Sequence, residues 1–175
     1  GKYDLYIPFI ERGLEWTNDR GKLSYITSNK FLRAKYGRNL RSILSEESKI
    51  LKMVDFGDSQ VFEDATNYPL IFSLEGREPG ENNFRYSTVL EKGERTNKEV
   101  LQDIESHKEE EYLGQSVESY RVNQDILDGE TWTFPSPTRK RVLDKIEESS
   151  TDKLGEIKQR ISKGMSTGAK STFLI

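Results

Sequence analysis

Two periods govern the placement of apolar residues along the chain. Short, dense runs mark strands and the three-to-four spacing marks helices. The densest stretch lies between Lys49 and Leu74, where two β-rich runs, Lys49–Phe56 and Tyr68–Leu74, predict buried strands. The polar connection between them is longer than an ordinary hairpin loop and carries the turn formers Gly57, Asp58, Asp64, Thr66 and Asn67. Val61 and Phe62 form an apolar pair inside it. Two readings of Phe62 stay open: it tucks back into the core, or it stands beside the sheet to touch a ligand.

Upstream, residues 4–17 predict a helix, with Asp4 at its N-terminus, Pro8 in the first turn, and Tyr6, Phe9, Ile10, Gly13, Leu14 and Thr17 on one side. Residues 22–27, KLSYIT, predict a strand. Ser28 or Asn29 then caps a second helix over about Lys30 to Ser45, with Leu32, Tyr36, Leu40 and Ile43 on its apolar stripe. Lys30, Arg33, Arg38 and Arg41 fall on an adjoining arc, either a solvated face or one that meets phosphates. Strand, helix and strand from Leu23 to Val54 predict a parallel βαβ unit with a right-handed crossover, and Pro69–Leu74 adds antiparallel to the Lys49–Phe56 strand.

Beyond Leu74 the pattern loosens. EGREPGENN reads as a linker, and Phe84–Leu90 as a half-buried strand. Thr96 and Glu99 make a capping box for a helix to about Tyr112, with Val100, Leu101 and Ile104 inward. Val117–Val122 is another strand. Ser136 caps a helix that opens on Arg139, Lys140 and Arg141 and carries Val142, Leu143 and Ile146. Ser149 to Asp152 links to a last block containing the turn-like Gly164–Gly168.

Composition sharpens this picture in a few places. Hydrophobic and charged residues each make up 33% of the 175 residues, so the core is small relative to the surface, as in a piece of something larger. The net charge of −3 supplies no overall basic field, and any contact with nucleic acid must come from local clusters. The absence of cysteine excludes disulfides and thiolate metal sites and fits an intracellular protein. The lone histidine, His107, lies in the solvated run HKEEE. Asp55, Asp58, Glu63 and Asp64 are close in sequence but read as caps and loop carboxylates, so no metal site is expected. No apolar run approaches the roughly 18–20 residues that cross a bilayer, and no Ser–His–acid set or phosphate loop is present.

Four blocks carry a family likeness: YDLYIPFIERGLEWT, GKLSYITSNKFLRAKYGRNLRSIL, ILKMVDFGDSQVFEDATNYPLIFSL and LGEIKQRISKGMSTGAKSTFLI. In this order they resemble the C-terminal half of the catalytic domain of DNA adenine-N6 methyltransferases, of the TaqI-like and single-chain type IIG restriction–modification kind. The resemblance implies an α/β fold, the C-terminal portion of a Rossmann-like methyltransferase sheet (βαβ plus a reversed last strand) followed by an α+β segment. The implied divisions are 1–78 for the catalytic part, 79–150 for a connecting segment and 151–175 for the start of a target-recognition region. It implies S-adenosylmethionine as cofactor, with Leu5 and Phe9 against its adenine, double-stranded DNA as partner, and Phe62 against an adenine flipped out of the duplex. It also implies a cytoplasmic protein.

The Gly-rich cofactor turn and the Asn-Pro-Pro-aromatic motif of that family are absent from the sequence. No catalytic residue is therefore expected in this chain, and the chain alone is expected to be inactive. The Leu23–Thr27 strand is expected to lack its inner neighbour, which predicts self-association or a covering domain. A non-catalytic DNA-binding or protein-interaction module is the alternative.

Overall fold

Strand pairing, not helix packing, joins the two halves of the sequence. The computed structural model describes residues 4–59, 61–62, 68–90 and 93–150. In chain order they form α1 (Tyr6–Trp16), β1 (Lys22–Ser28), α2 (Arg38–Glu46), β2 (Lys49–Asp55), β3 (Pro69–Glu75), β4 (Asn83–Val89), α3 (Asn97–Ser106), β5 (Glu111–Leu113), β6 (Val117–Asn123) and α4 (Pro137–Ser149). The strands make a single sheet in the order β1-β3-β2-β4-β6-β5. β3 is antiparallel to β2, as expected, and is also antiparallel to β1. β1 and β2 therefore run the same way, as a βαβ unit requires, but the reversed strand lies between them. The far side of β1 pairs with no described strand.

β2 pairs in parallel with β4, so residues on both sides of position 78 share one sheet and one compact unit, Gly1–Pro137. The other unit, Thr138–Ile175, contains most of α4. The turn-like Gly164–Gly168 lies outside the described residues.

Each face of the sheet has its own core. The face under α1 and α2 holds Ile10, Leu40, Leu44, Ile50, Met53, Phe72 and Phe84. The α3 face holds Val54, Phe56, Val89, Val100, Ile104 and Val117. Strict alternation would put Ile50 and Met53 on opposite faces. An irregularity in the β2–β3 register between Ile50 and Lys52 absorbs one residue and returns both to the same face.

The β2–β4 junction is fixed by two buried amides. The Gln124 Oε1 accepts the Ile50 N–H at 2.9 Å and the Asn82 side-chain amide at 2.7 Å. Its Nε2 reaches the carbonyls of Leu44, Ser45 and Ser48, the last at 2.7 Å. Asn82 also donates to the Ile50 carbonyl at 2.7 Å. The end of α2, the start of β2, the start of β4 and the end of β6 thus meet at one side chain that is 1% exposed.

Three expected elements are altered. The helix over Lys30–Ser45 is broken: 3-10 turns at Asn29–Leu32 and Lys35–Gly37 precede α2, and Ala34 is extended between them. Gly37 passes so close to the Phe31 carbonyl that an added Cβ would lie 2.2 Å from it. Arg41, 3% exposed, donates to the carbonyls of Phe31, Ala34 and Gly129, two of which lie in the broken stretch. Its place in the basic arc is therefore corrected: it points inward. Burial lowers the pKa of its guanidinium.

α1 starts at Tyr6 without a side-chain cap, because the Asp4 carboxylate instead accepts the Tyr36 hydroxyl at 2.6 Å. α3 opens on the expected Thr96–Glu99 capping box but stops at Ser106. Its Asp103 carboxylate accepts from Arg95 at 2.8 Å and from Tyr112 at 3.0 Å, and His107 stacks on Tyr112 with ring centroids 3.7 Å apart. These contacts fold residues 107–112 back into the short strand β5. His107 is half-buried against that ring, not fully solvated.

Two substitutions, each set against an exposed control, test this framework by urea unfolding. Gln124→Leu leaves buried carbonyls and an N–H unpaired and is expected to cost on the order of 3 kcal/mol, whereas Leu113→Ala on the exposed edge stays within about 0.5 kcal/mol. Arg41→Met is expected to cost about 2–3 kcal/mol, against less than about 0.5 for the exposed Arg33→Met. Equal, small losses at Arg41 and Arg33 would return Arg41 to the surface arc.

Candidate nucleic-acid interface

The registers Ser28↔Pro69 and Asp55↔Leu70 bring one end of β1, β2 and β3 to the same edge of the sheet. Short-range chemistry sets the path of the chain around these strand ends. The Ser28 hydroxyl accepts the Lys30 N–H, turning the chain after β1. The Asn29 N–H bonds the Tyr68 carbonyl at 2.9 Å, and the Phe56 N–H bonds that of Pro69 at 2.9 Å. Gly57 takes φ +56°, a left-handed conformation that glycine adopts without cost.

Asp55 is the centre of this edge. It is 8% exposed. Its Oδ1 accepts the Asn29 side-chain amide at 3.0 Å and the Gly57 N–H at 2.9 Å, while Oδ2 accepts the Tyr86 hydroxyl at 3.0 Å. Burial first, and the Asp55 charge second, push the Tyr86 phenol far above its ordinary pKa, so it stays a neutral donor. Asp55 thus caps its own turn through Gly57, as read from the sequence, but it is buried and not solvated. Among the described residues no group of His, Cys, Asp and Glu can hold a metal ion.

Two hollows flank this edge and share Lys30. One, of about 370 Å³, is lined by Asp4, Tyr6, Ser28, Lys30, Phe62 and Pro69. Phe62 is 48% exposed there and lies in neither core cluster, while its neighbour Val61 packs against the α3-side core. Tyr6 in this hollow meets Tyr36 of the other: their hydroxyls lie 3.3 Å apart, and burial raises both pKa values, so both remain protonated. The second hollow, of about 470 Å³, is walled by Tyr68, Tyr86, Trp132 and Phe134, with Lys30 and Arg33 also lining it.

The residues singled out from the sequence are not all brought together. Lys30 and Arg33 are exposed and form no salt bridge with another described residue. Arg38 is paired with Glu130, and Arg41 is interior. Leu5 and Phe9 lie one turn apart at the start of α1, 79% and 67% exposed. Glu63 and Asp64 lie outside the described residues. Sequence reasoning missed Tyr86, Trp132 and Phe134 as cavity walls. The aromatic spacing of Thr-Trp-Thr-Phe was visible, but its destination depends on the Trp132 N–H bonding the distant Leu32 carbonyl at 2.8 Å.

Comparison with known proteins adds independent findings. Residues 1–62 match the family described as Eco57I restriction-modification methylase. The chain is 27% identical, over 98% of its length, to the type II methyltransferase M.BstVI of Geobacillus stearothermophilus, and covers 31% of that protein. It is 29% identical, over 99% of its length, to the type II restriction enzyme and methyltransferase RM.Eco57I of Escherichia coli, covering 16% of it. Over 43% of its length it is 39% identical to the type II methyltransferase M.XhoI of Xanthomonas vasicola, covering 14% of that protein. The chain thus spans less than a third of the length of these curated relatives.

Among solved structures, it resembles a chain of a type I restriction–modification system with a TM-score of 0.59 at 12% identity, over 84% of this chain and 37% of the other. The type IIG restriction endonuclease BpuSI gives 0.54 at 16% identity, over 71% and 15%. These likenesses carry the fold. No described helix is long and apolar enough to cross a membrane. The likeness read from the four sequence blocks is therefore found by sequence, since the relatives of this chain are restriction–modification methyltransferases, and its mixed α/β fold is similar to that of chains from restriction–modification systems.

Proposed function

We propose that this chain is part of a cytoplasmic, site-specific DNA adenine-N6 methyltransferase of a restriction–modification system, in which it helps hold a flipped adenine for methylation by S-adenosylmethionine. The observation that carries the reading is Phe62: a half-exposed aromatic between β2 and the reversed strand β3, lining a hollow with Tyr6 and Lys30. Extruding a base costs a few kcal/mol, and an aromatic contact on it offsets about 1–3 kcal/mol. Lys30 adds a cation where the strand's phosphates pass.

The exposed pair Leu5 and Phe9, at i and i+4, fits the face of a purine, so these residues would hold the cofactor's adenine. When bound, S-adenosylmethionine supplies a methyl group on a sulfonium. Adenine N6 is a poor nucleophile because its lone pair is delocalised into the ring. The Asn-Pro-Pro-aromatic motif, whose acceptors would localise that pair, is not in this sequence. The chain alone is therefore expected to transfer no methyl group to duplex DNA, measured with labelled cofactor. Transfer by the chain alone would overturn the assignment of the chemistry to residues elsewhere.

The free side of β1 bears on assembly. An unpaired strand edge recruits another strand, so we propose that it pairs with a second copy or with a further part of the enzyme. A chain that sediments as a strict monomer at high concentration would count against pairing with a second copy.

Phe62→Ala, made in the enzyme of which we propose this chain is a part, tests the base contact. It is expected to weaken methylation of a paired adenine about 5- to 150-fold, the equivalent of 1–3 kcal/mol, with unfolding little changed. A mismatched target adenine is cheaper to extrude and should recover part of the activity. A stability loss of about 3–5 kcal/mol with normal kinetics in the folded fraction would instead place Phe62 in the core.

A further inference from the structure

The larger hollow is built unlike the one that carries Phe62. Its volume of about 470 Å³ lies within the roughly 300–1,000 Å³ of small-molecule sites. Its wall is aromatic and held rigidly. Tyr86 and Phe134 pack with ring centroids 4.5 Å apart, and Trp132 and Phe134 with centroids 6.3 Å apart. The Trp132 indole N–H donates to the Asp128 carbonyl at 2.6 Å, and the Tyr86 hydroxyl to Asp55.

Tyr68, 42% exposed, also lines the hollow on a backbone with φ +25°. A non-glycine residue held there is strained, and such strain persists where the surroundings fix it, often at ligand clamps. Here Asn29 fixes it, by bonding the Tyr68 carbonyl. Lys30 and Arg33 add two cations without an ion-pair partner among the described residues.

We infer that this hollow binds one nucleotide, its base against the Tyr68–Tyr86–Trp132–Phe134 wall and its phosphate against Lys30 and Arg33. A flat aromatic ring joined to an anion is what such a wall and rim match together. Inorganic phosphate would leave the wall unused, and a bare nucleoside would leave the cations unused. The buried Asp55 carboxylate also lines the hollow and repels an anion placed deep inside, which orients the base inward and the phosphate outward. The nucleotide comes either free from solution or as one unit of a DNA strand. This goes beyond the flipped-adenine reading, because it concerns different aromatic residues in a separate cavity.

Equilibrium dialysis of the 175-residue chain against labelled dAMP, and against a labelled single-stranded oligonucleotide, tests it. Saturable retention is expected, weakened about tenfold by Tyr68→Ala and by Arg33→Ala, both at exposed positions where circular dichroism should be unchanged. Retention of dAMP identifies a free nucleotide as sufficient, and retention of the oligonucleotide alone identifies a strand unit; each supports the site if both variants weaken it. Deoxyadenosine bound as tightly as dAMP, with Arg33→Ala silent, would overturn the phosphate placement and with it the proposal. No retention of any probe by the folded chain would also overturn it. So would loss on Phe62→Ala with full retention on Tyr68→Ala, since that puts the nucleotide in the other hollow.

Discussion

The fold depends on the buried amide of Gln124. A parallel β2–β4 pair has no hairpin to set its register, and parallel pairing is slightly weaker per residue than antiparallel. Here the register is set from the end of the strands, where Gln124 directs its donors to carbonyls at the end of α2 and its acceptor to Ile50 and Asn82. An aliphatic side chain of the same size would fill the space and leave several main-chain groups unpaired in the interior, which is costlier than the hydrogen bonds are individually favourable. The first 75 residues and the strands after them are thereby one sheet.

The opposite ends of the same strands carry the candidate interface, and a second buried polar centre holds them. Asp55 ends β2 with a charge, tied to Asn29 after β1, to Gly57 in its own loop, and to Tyr86 on β4. A buried carboxylate is tolerable only when its lone pairs are met by donors, and three donors from three elements meet these. These bonds hold the edge at which Tyr68 lines one hollow and Phe62 the other. Stiffness matters in such a place because aromatic contacts on a base gain little if the ring must first be ordered.

Much of this was legible in the sequence, for physical reasons that differ from element to element. The strands over Lys49–Asp55, Pro69–Glu75, Asn83–Val89 and Val117–Asn123 follow from dense apolar runs, and the α3 start from a reciprocal cap between residues three apart. Those signals are local. What was not legible is set by distant partners. The helix predicted over Lys30–Ser45 has good spacing, yet Gly37 against Phe31, and Trp132 on the Leu32 carbonyl, prefer a broken path. Asp55 looked like a turn residue because Tyr86, thirty-one positions away, cannot be seen from its neighbours. Trp132 and Phe134 likewise gain meaning only from the cavity they close.

The four cations of the basic arc show why spacing alone misassigns charge. A helical projection treats Lys30, Arg33, Arg38 and Arg41 as equivalent, since each falls on the same arc. Breaking the helix between Leu32 and Arg38 removes that equivalence. Arg41 turns inward, because a planar guanidinium with several donors can satisfy carbonyls that the break leaves open, which a lysine could do only in part. Arg38 is held by Glu130. Lys30 and Arg33 remain at the edge where the strands end, lining a hollow with aromatic rings, in a chain whose net charge is −3. In a chain with no overall attraction for polyanions, two cations beside packed aromatics form a local field that acts only at short range, within about a Debye length of 8–10 Å. Such a field does little to collect DNA from solution, and its effect falls on a nucleotide already at the sheet edge.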